Sequence, residues 1–334
     1  MSMSESDFAN RLRHAVARHL GAPATIENLQ PLTGGANRTT MSFDAETAGR
    51  RRELVVQIGA ETADPVAGVT PEVGTEHQAH LMIAARRMGA PAPNVVAIFD
   101  AVDGLGEGYI ADRVAGETLG PRIVRDERFT EARKAMARQC GEILAAIHRI
   151  GPAEAPFLMS QDAAEHVEAH RRIVDHFNFR QPALELALRW ARENAPRRQR
   201  HTVVHGDFRT GNLIVGEEGI RCVLDWELAQ TGDPMQDLGW LCIRTWRFGG
   251  AGAVGGFGSR EDLFASYEKA SGHRIDPAQA RFWEALGNVK WAIDCLRLGT
   301  RGVEETSVER SAIGRRIEEP LWDFFDLIEG RNYP

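Results

Sequence analysis

The sequence of 334 residues lacks several features that would place it in other classes of protein. It has only four cysteines and no Cys-x-x-Cys spacing, so no dense disulfide framework is indicated and the thiols are expected to be reduced core groups. No run of about eighteen apolar residues could span a bilayer, and the first residues lack the positive and apolar regions of a signal peptide. These absences favour a cytoplasmic protein with no membrane partner.

The sequence also has no excess of basic over acidic residues. The formal net charge is -7 and the isoelectric point is near 5.9. Proteins that bind the phosphate backbone of nucleic acids concentrate lysine and arginine, so no nucleic-acid partner is expected. What is present is ordinary for a globular protein, because 43% of the residues are hydrophobic and the length suffices for two lobes with sizeable cores.

The most informative segment begins at His205 and ends at Glu227. Asp207 is followed five positions later by Asn212, which is the Asp-x-x-x-x-Asn spacing of kinase catalytic loops. The apolar runs 213–215 and 221–224 flank Gly-Glu-Glu-Gly, and this pattern predicts a tight hairpin. The hairpin would carry Asn212 and Asp225 to the same end of a small sheet.

Phosphoryl transfer requires such a set of side chains, because magnesium must neutralise the transferred group while a hydroxyl is held in line with it. Oxygen ligands suit that ion. We therefore predict that Asp207 orients the hydroxyl and accepts its proton, and that Asn212 and Asp225 bind Mg. Glu227 could bind a second metal, the acceptor or a partner arginine, and a simple ion pair fits it equally well.

Two further residues of this region are predicted to support the loop. His205 is expected to be a packed side chain that holds the loop through hydrogen bonds. Asp237 is expected to accept backbone amides from the same loop. Neither residue is expected to touch the substrate.

These motifs resemble those of the aminoglycoside phosphotransferase and choline kinase superfamily. The resemblance is carried by His205-Gly206-Asp207 with Asn212, by Asp225-Trp226-Glu227, and by Gly232-Asp233-Pro234 with Asp237-Leu238. The form Asp-Trp-Glu-x-Ala-x-x-Gly-Asp-Pro is similar to the branch related to the kinase-like domains of certain acyl-CoA dehydrogenase family proteins.

The resemblance covers nearly the whole chain and implies an α+β, bilobal, protein-kinase-like fold. A small antiparallel-sheet N-lobe at residues 1–113 would bind the nucleotide, and a mainly helical C-lobe at residues 114–334 would hold the catalytic and acceptor sites. It also implies ATP or GTP as the donor, Mg, and a small-molecule hydroxyl as the acceptor. A protein kinase proper is disfavoured because Asp-Phe-Gly and Ala-Pro-Glu are missing.

Strands are predicted at 25–31, 38–45 and 53–58, and a Gly-rich loop separates the first two. Glycine lets backbone amides approach phosphate oxygens, although a simple hairpin turn explains the loop equally well by itself. The resemblance favours a nucleotide-covering loop. It assigns nucleotide contacts to Gly34, Gly35, Asn37 and Arg38.

Other nucleotide contacts follow from the same resemblance. A helix predicted at 72–88 carries Glu76, which would pair with a cation on the third strand. Asp112 and Val114 lie where the chain would cross between the lobes, and their backbone would bind the adenine edge.

The third strand departs from the family pattern, because Gln57 stands where the family has Lys or Arg. Glutamine can bond a phosphate oxygen but supplies no charge, and this loss could cost a few kcal/mol of binding or transition-state energy. Arg38, Arg51 or Arg52 could substitute for the missing cation. The alternative hypothesis is a catalytically weak protein that binds a nucleotide or metabolite.

The second half of the chain is predicted to be largely helical. Helices are expected at 130–150, 182–194, 238–247, 261–271, 277–298 and 304–329, with 151–181 as a less regular insertion. The insertion and the following helix, together with the C-terminal helices, should form the acceptor pocket. Aminoglycosides, choline-like alcohols, sugars, homoserine and hydroxylated acyl groups all stay open as acceptors.

Overall fold

The computed structural model describes residues 4–32, 38–59, 68–304 and 307–331, without the side chains of Arg38 and Glu304. The chain begins with helix α1 (Glu5–Leu20), which starts where the Ser4 side chain accepts a hydrogen bond from the backbone N–H of Asp7. The helix ends at Gly21, whose φ of 69° suits a residue without a side chain. The spacing of Phe8, Leu12, Val16 and Leu20 in the sequence predicts this helix, with Ser4 or Ser6 as its cap.

An antiparallel sheet of five strands follows α1. Its strands are β1 (Ala24–Pro31), β2 (Arg38–Thr47), β3 (Arg50–Gly59), β4 (Val95–Ile98) and β5 (Gly108–Asp112). Their spatial order is β1-β2-β3-β5-β4, so β3 lies in the middle of the sheet. One face of α1 covers the sheet, and their shared core includes Leu12, Val16, Phe43, Leu54 and Ile110. Burial of this apolar surface holds the small lobe together.

Helix α2 (Thr75–Arg87) lies between β3 and β4 in the chain. Its buried residues Ala79, Leu81 and Met82 belong to the core of the helical region and not to the core under α1. The sheet ends at Asp112, and the predicted lobe boundary between residues 113 and 114 stays a prediction.

The remainder of the chain is mainly helical. Its helices are α3 (Gly120–Arg125), α4 (Thr130–Ile147), α5 (Ala163–His176), α6 (Pro182–Asn194), α7 (Met235–Cys242), α8 (Arg260–Ser271), α9 (Pro277–Glu304), α10 (Val308–Gly314) and α11 (Glu318–Ile328). Two short antiparallel pairs lie among them. They are β6 (Thr202–Val204) with β9 (Gln230–Gly232), and β7 (Leu213–Gly216) with β8 (Gly219–Val223). The α+β architecture predicted from the sequence is confirmed.

Three predictions about the helical part were wrong. The insertion at 151–181 contains the regular helix α5, which begins with a capping box of Asp162 and Glu165. The helix predicted at 304–329 is divided into α10 and α11, and α9 continues to Glu304. The helix predicted at 238–247 ends at Cys242 and is followed by a 3₁₀ turn at Arg244–Arg247.

The expectation for the cysteines agrees with the structure. All four cysteines are buried and unbonded, and burial raises the pKa of their thiols. Within the described part of the chain, no helix is both long enough and apolar enough to cross a membrane.

Candidate active site

The predicted catalytic loop connects β6 to β7 and turns sharply at Gly206. This glycine has a φ of 78°, and a Cβ atom on it would collide with the carbonyl oxygen of Leu228. Only glycine meets both requirements without strain. The local sequence therefore allows the turn that places Asp207 directly after it.

Asp237 on α7 holds the loop in this conformation. Its Oδ2 accepts from the backbone N–H of His205 at 2.7 Å, and its Oδ1 accepts from that of Gly206 at 2.8 Å. His148 Nε2 lies 3.1 Å from Oδ2. Burial by itself raises the pKa of Asp237, but the hydrogen bond from His148 and the nearby His205 leave it below its ordinary value. The predicted supporting role of Asp237 is confirmed.

His205 is also a supporting residue, as the sequence indicated. Its ring is fully buried, and Nε2 donates to the carbonyl oxygen of Leu224 at 3.0 Å. Its Nδ1 accepts from the backbone N–H of Asp207 at 3.3 Å. Burial lowers the pKa of His205, although Asp237 and Asp207 oppose this effect, so the imidazole is neutral at neutral pH.

The carboxylate of Asp207 lies at the centre of a converging set of donors. Trp240 Nε1 donates to Oδ1 at 2.8 Å, and Asn212 Nδ2 donates to Oδ2 at 2.7 Å. Arg209 Nε lies 3.1 Å from both oxygens. These bonds fix the carboxylate in one orientation, which is what a general base needs in order to meet a hydroxyl in the correct geometry.

Asn212 and Asp225 lie at the same end of the β7–β8 hairpin, as predicted. The backbone N–H of Leu224 donates to the carbonyl oxygen of Asn212 at 2.8 Å and joins the two flanks. The Asn212 amide nitrogen is used toward Asp207, so its Oδ1 is the atom that could bind a cation. Asp225 has a φ of 65°, a conformation that residues other than glycine rarely adopt and that tends to occur at functional sites.

Among the residues that the structure describes, no three His, Cys, Asp or Glu side chains are grouped as a metal site. The predicted ligand set would not form such a group, because it consists of one carboxylate and one amide. Magnesium at nucleotide sites is commonly held by one or two carboxylates and completed by phosphate and water oxygens. The donor chemistry of Asn212 and Asp225 therefore fits that ion.

Gln57 is built into the sheet and cross-links three strands. Its neighbours in the strand register are Thr40 on β2 and Tyr109 on β5. The Tyr109 hydroxyl donates to Gln57 Oε1 at 2.5 Å, and Gln57 Nε2 lies 3.5 Å from Thr40 Oγ1. The amide is therefore held by uncharged partners at the position where the family has a cation.

The start of α2 carries the predicted residue Glu76 and a carboxylate that the sequence did not single out. Glu76 Oε1 lies 3.9 Å from His80 Nε2 on its own helix. Glu107 Oε1 accepts from the backbone N–H of Glu76 at 3.0 Å, although it comes from the turn before β5. A carboxylate at this place satisfies a free amide and opposes the positive end of the helix dipole.

The predicted adenine contacts lie where β5 leaves the sheet. Asp112 accepts from Arg52 at 2.6 Å and from Asn94 at 2.7 Å, so its side chain is used within the protein. Val114 is half-buried in the segment that follows. Arg52 was one of three arginines proposed to replace the missing cation. Arg51, another of the three, is paired with Asp44 at 2.7 Å.

Part of the predicted nucleotide loop cannot be placed against these residues. Gly34, Gly35 and Asn37 lie outside the described residues. The backbone of Arg38 begins β2, and its side chain is not described.

The structure contains a cavity of about 1010 Å³. Its walls come from the segment before α2, from residues 157–173 and from α9, and Glu227 and Glu107 also line it. The insertion and the C-terminal helix α9 thus line one pocket, and its use as the acceptor pocket stays a prediction. Glu227 is half-buried there, and its carbonyl oxygen accepts from the backbone N–H of Val73 at 2.8 Å.

Lys290 joins this cavity to the catalytic loop, and sequence reasoning missed it. Its Nζ donates to the carbonyl oxygen of Gly206 at 2.9 Å and lies 4.2 Å from the ring centroid of Trp240. One turn later on α9, Asp294 lines the same cavity. Burial raises the pKa of Asp294, while Lys290 and Arg297 oppose that effect. The only signal in the sequence was the rarity of lysine. The chain has three lysines, and Lys290 is the one in the helix that faces the loop.

Comparisons with known proteins identify the family of this chain. The model of a family described as the phosphotransferase enzyme family (APH) matches residues 28–283. Acyl-CoA dehydrogenase family member 10 of Mus musculus is 47% identical over 64 residues, which cover 19% of this chain and 6% of that protein. Acyl-CoA dehydrogenase family member 11 of Gallus gallus is 28% identical over 162 residues, which cover 44% and 20%. The matches thus span only a small part of these relatives.

Solved structures share the fold at low sequence identity. A choline/ethanolamine kinase family protein from Mesorhizobium loti has a TM-score of 0.61 and 18% identity, with 96% of this chain and 95% of that chain covered. A macrolide 2'-phosphotransferase from Brachybacterium faecium has the same TM-score and identity, with 92% and 97% covered. An aminoglycoside phosphotransferase in complex with AMP-PNP and hygromycin B has a TM-score of 0.58 and 17% identity, with 93% and 98% covered. The predicted kinase-like bilobal fold is confirmed.

Proposed function

Because this chain belongs to the phosphotransferase enzyme family, we propose that it transfers the terminal phosphoryl group of ATP, or of GTP, to a hydroxyl of a small molecule with the help of Mg. The observation that carries the proposal is the orientation of Asp207. Its carboxylate is fixed by Trp240 and Asn212, and Lys290, which lines a large cavity, donates to the same loop at Gly206.

The reaction would follow from this placement. Asp207 orients the acceptor hydroxyl and takes up its proton while the acceptor oxygen forms a bond to the terminal phosphorus. The bond between that phosphorus and the oxygen bridging to the β-phosphate breaks, and the electron pair leaves with the nucleoside diphosphate. Asn212 and Asp225 would hold magnesium, which neutralises charge on the phosphates. Glu227 would contact a second metal or the acceptor.

The nucleotide would bind along the sheet. Gly34, Gly35, Asn37 and Arg38 would cover its phosphates, Gln57 would bond a phosphate oxygen, and the backbone of Asp112 and Val114 would meet the adenine. Glu76, in the first turn of α2, would contribute to the nucleotide site. The cavity between the insertion and α9 would hold the acceptor, since Lys290 joins this cavity directly to the residue before Asp207.

The variant Asp207→Asn tests the assignment. We expect it to bind Mg-ATP as the wild type does and to lose turnover by about 1000-fold or more, since it has no base. Turnover would be followed as ADP release with a panel of hydroxylated metabolites, and binding by calorimetry. The exposed Asp175→Asn, on α5, is the matched control. Full turnover in Asp207→Asn would defeat the proposed role.

A protein that binds a nucleotide or metabolite without efficient transfer is the second candidate. It is favoured by Gln57, which is held by Tyr109 and supplies no charge to the phosphates. Thermal unfolding with Mg-ATP, paired with an ATP-consumption assay, separates the two functions. Stabilisation without turnover on any acceptor, and without slow hydrolysis, would favour the binding protein.

A further inference from the structure

We propose that Arg209 is a catalytic residue whose guanidinium contacts the terminal phosphoryl group and supplies the positive charge that Gln57 lacks. The inference rests on the proposed function and extends it, because it names the group that compensates for a departure from the family pattern. It depends on three observations: the engagement of two arginines on β3, the strand that carries Gln57, the position of Arg209, and the arrangement of Asp207 and Asn212 around it.

The first observation concerns cations of the sheet. Arg51 is paired with Asp44, and Arg52 is paired with Asp112, so both guanidinium groups are already engaged by carboxylates. The chain has only three lysines, and none of them precedes Lys134. Among the described side chains, the sheet therefore offers no lysine to the phosphates. The catalytic lobe is therefore a second source of positive charge, besides Arg38 of the nucleotide loop.

The second observation is that Arg209 lies beside the predicted base in a fixed position. Its Nε is 3.1 Å from each oxygen of Asp207, and its guanidinium carbon is 4.6 Å from the ring centroid of Trp246. Trp246 is itself buried and packs against Trp240 and Trp291. A planar guanidinium held on an indole face loses little entropy when it binds an oxyanion.

The orientation of Arg209 leaves its donors for a ligand. Nε is used toward Asp207, so the two Nη groups are the atoms that could meet phosphate oxygens. The side chain is 24% exposed, so it is not sealed within the core. A forked pair of N–H donors matches two oxygens of a phosphoryl group better than an ammonium does.

The third observation is the shared contact at Asp207. Its Oδ2 accepts from both Asn212 Nδ2 and Arg209 Nε, so the predicted base, the predicted metal ligand and the guanidinium all meet at one atom. A phosphoryl group in transfer would approach both Asp207, which would orient the hydroxyl, and Asn212, which would hold the metal. Arg209 then borders this group without any rearrangement of the loop.

Lys290 does not fill this role, although it is also close to the loop. Its Nζ donates to the carbonyl oxygen of Gly206 and lies against Trp240, so it stabilises the turn before Asp207.

Arg209 takes no part in bond making, and its protons stay on it throughout. Its positive charge stabilises the transition state, in which negative charge is spread over the equatorial oxygens of the phosphoryl group.

The test compares nucleotides that differ only in the terminal phosphoryl group. Wild type, Arg209→Gln and Arg209→Lys would be titrated with Mg-AMP-PNP and with Mg-ADP by calorimetry. We expect Arg209→Gln to weaken AMP-PNP binding by about 10-fold and to leave ADP binding within about 2-fold, because ADP has no group for Arg209 to meet. Arg209→Lys should recover part of the loss, since it keeps the charge.

Slow hydrolysis of Mg-ATP, with water as the acceptor, gives a second measurement that does not depend on the acceptor's identity. We expect Arg209→Gln to lower this rate by about 100-fold. Adding Gln57→Lys to Arg209→Gln should restore part of AMP-PNP binding. Arg138→Gln, an exposed change on α4, is the matched control and should leave every measurement unchanged.

The outcomes separate the inference from the function on which it rests. If wild type binds both nucleotides and Arg209→Gln weakens both equally, Arg209 only holds Asp207 in place and the inference is wrong while the function stands. The inference is equally wrong if Arg209→Gln weakens neither. If wild type binds neither nucleotide, the proposed function is wrong and the inference falls with it. Thermal unfolding of each variant shows whether the fold is kept.

Discussion

Replacing Asp237 with Asn should destabilise the protein by about 3 kcal/mol, although the two side chains have nearly the same shape. The carboxylate is completely buried and accepts from the backbone N–H groups of His205 and Gly206 and from His148. An amide has one acceptor oxygen, so its NH₂ group must face one of these donors. A lost hydrogen bond to a buried charged group costs about 1.5 to 3 kcal/mol, and the opposed donors add to that.

Urea unfolding followed by tryptophan fluorescence at neutral pH measures this effect. A loss of about 3 kcal/mol should move the midpoint by roughly 1 M, given the slopes usual for urea. Asp175→Asn is the control, because Asp175 forms an exposed ion pair with Arg171 and such pairs contribute about 0 to 1 kcal/mol. If Asp237→Asn unfolds within about 0.5 kcal/mol of wild type, the catalytic loop does not depend on this carboxylate and our account of it is wrong.

The pH dependence gives an independent check of the same reasoning. The pKa of Asp237 is lower in the folded protein than its ordinary value, because hydrogen bonding to the charged form outweighs burial. A depressed pKa means that the stabilisation is complete above the unfolded pKa of about 3.9 and is lost as pH falls through the folded pKa. The difference between wild type and Asp237→Asn should therefore be constant from about pH 5 to 8 and shrink below about pH 4.

Two glycine substitutions give further predictions about the fold. Gly206→Ala should cost about 2 kcal/mol or more, measured by urea unfolding, because the new Cβ would require an unfavourable φ and would collide with Leu228. Gly141→Ala, at the contact between α4 and α8, should cost about 1 to 3 kcal/mol in the same assay, because its Cβ would meet Ser266 and the backbone of Leu263. Unchanged stability in either variant would show that the backbone there can move apart easily.

The β7–β8 hairpin could be predicted from the sequence because its geometry is local. Two apolar runs separated by a Gly-bounded turn fix the register of β7 and β8, in which Gly216 pairs with Gly219. Once the register is fixed, Asn212 and Asp225 must lie at the same end. The supporting role of His205 followed from the same segment, and that of Asp237 from the separate motif at 232–238.

The errors in the helical part also have physical causes. Helix α5 buries His166 and His170 together with Val167, so its buried face includes polar side chains and its periodicity was not apparent. The capping box at Asp162 and Glu165 is the local signal in the sequence that marks its start. The C-terminal helix prediction missed the break after Gly314, where the backbone comes so close to Gly299 on α9 that neither position has room for a Cβ.

By itself, the sequence determined the family, the order of the main elements and the short-range set of Asp207, Asn212 and Asp225. Tertiary structure alone decided which distant groups complete that set. Trp240 and Lys290 come from α7 and α9, and they meet the catalytic loop only because those helices pack behind it. The reason is that spacing along one hairpin is set by backbone geometry, whereas contacts between remote segments depend on how buried surfaces fit together.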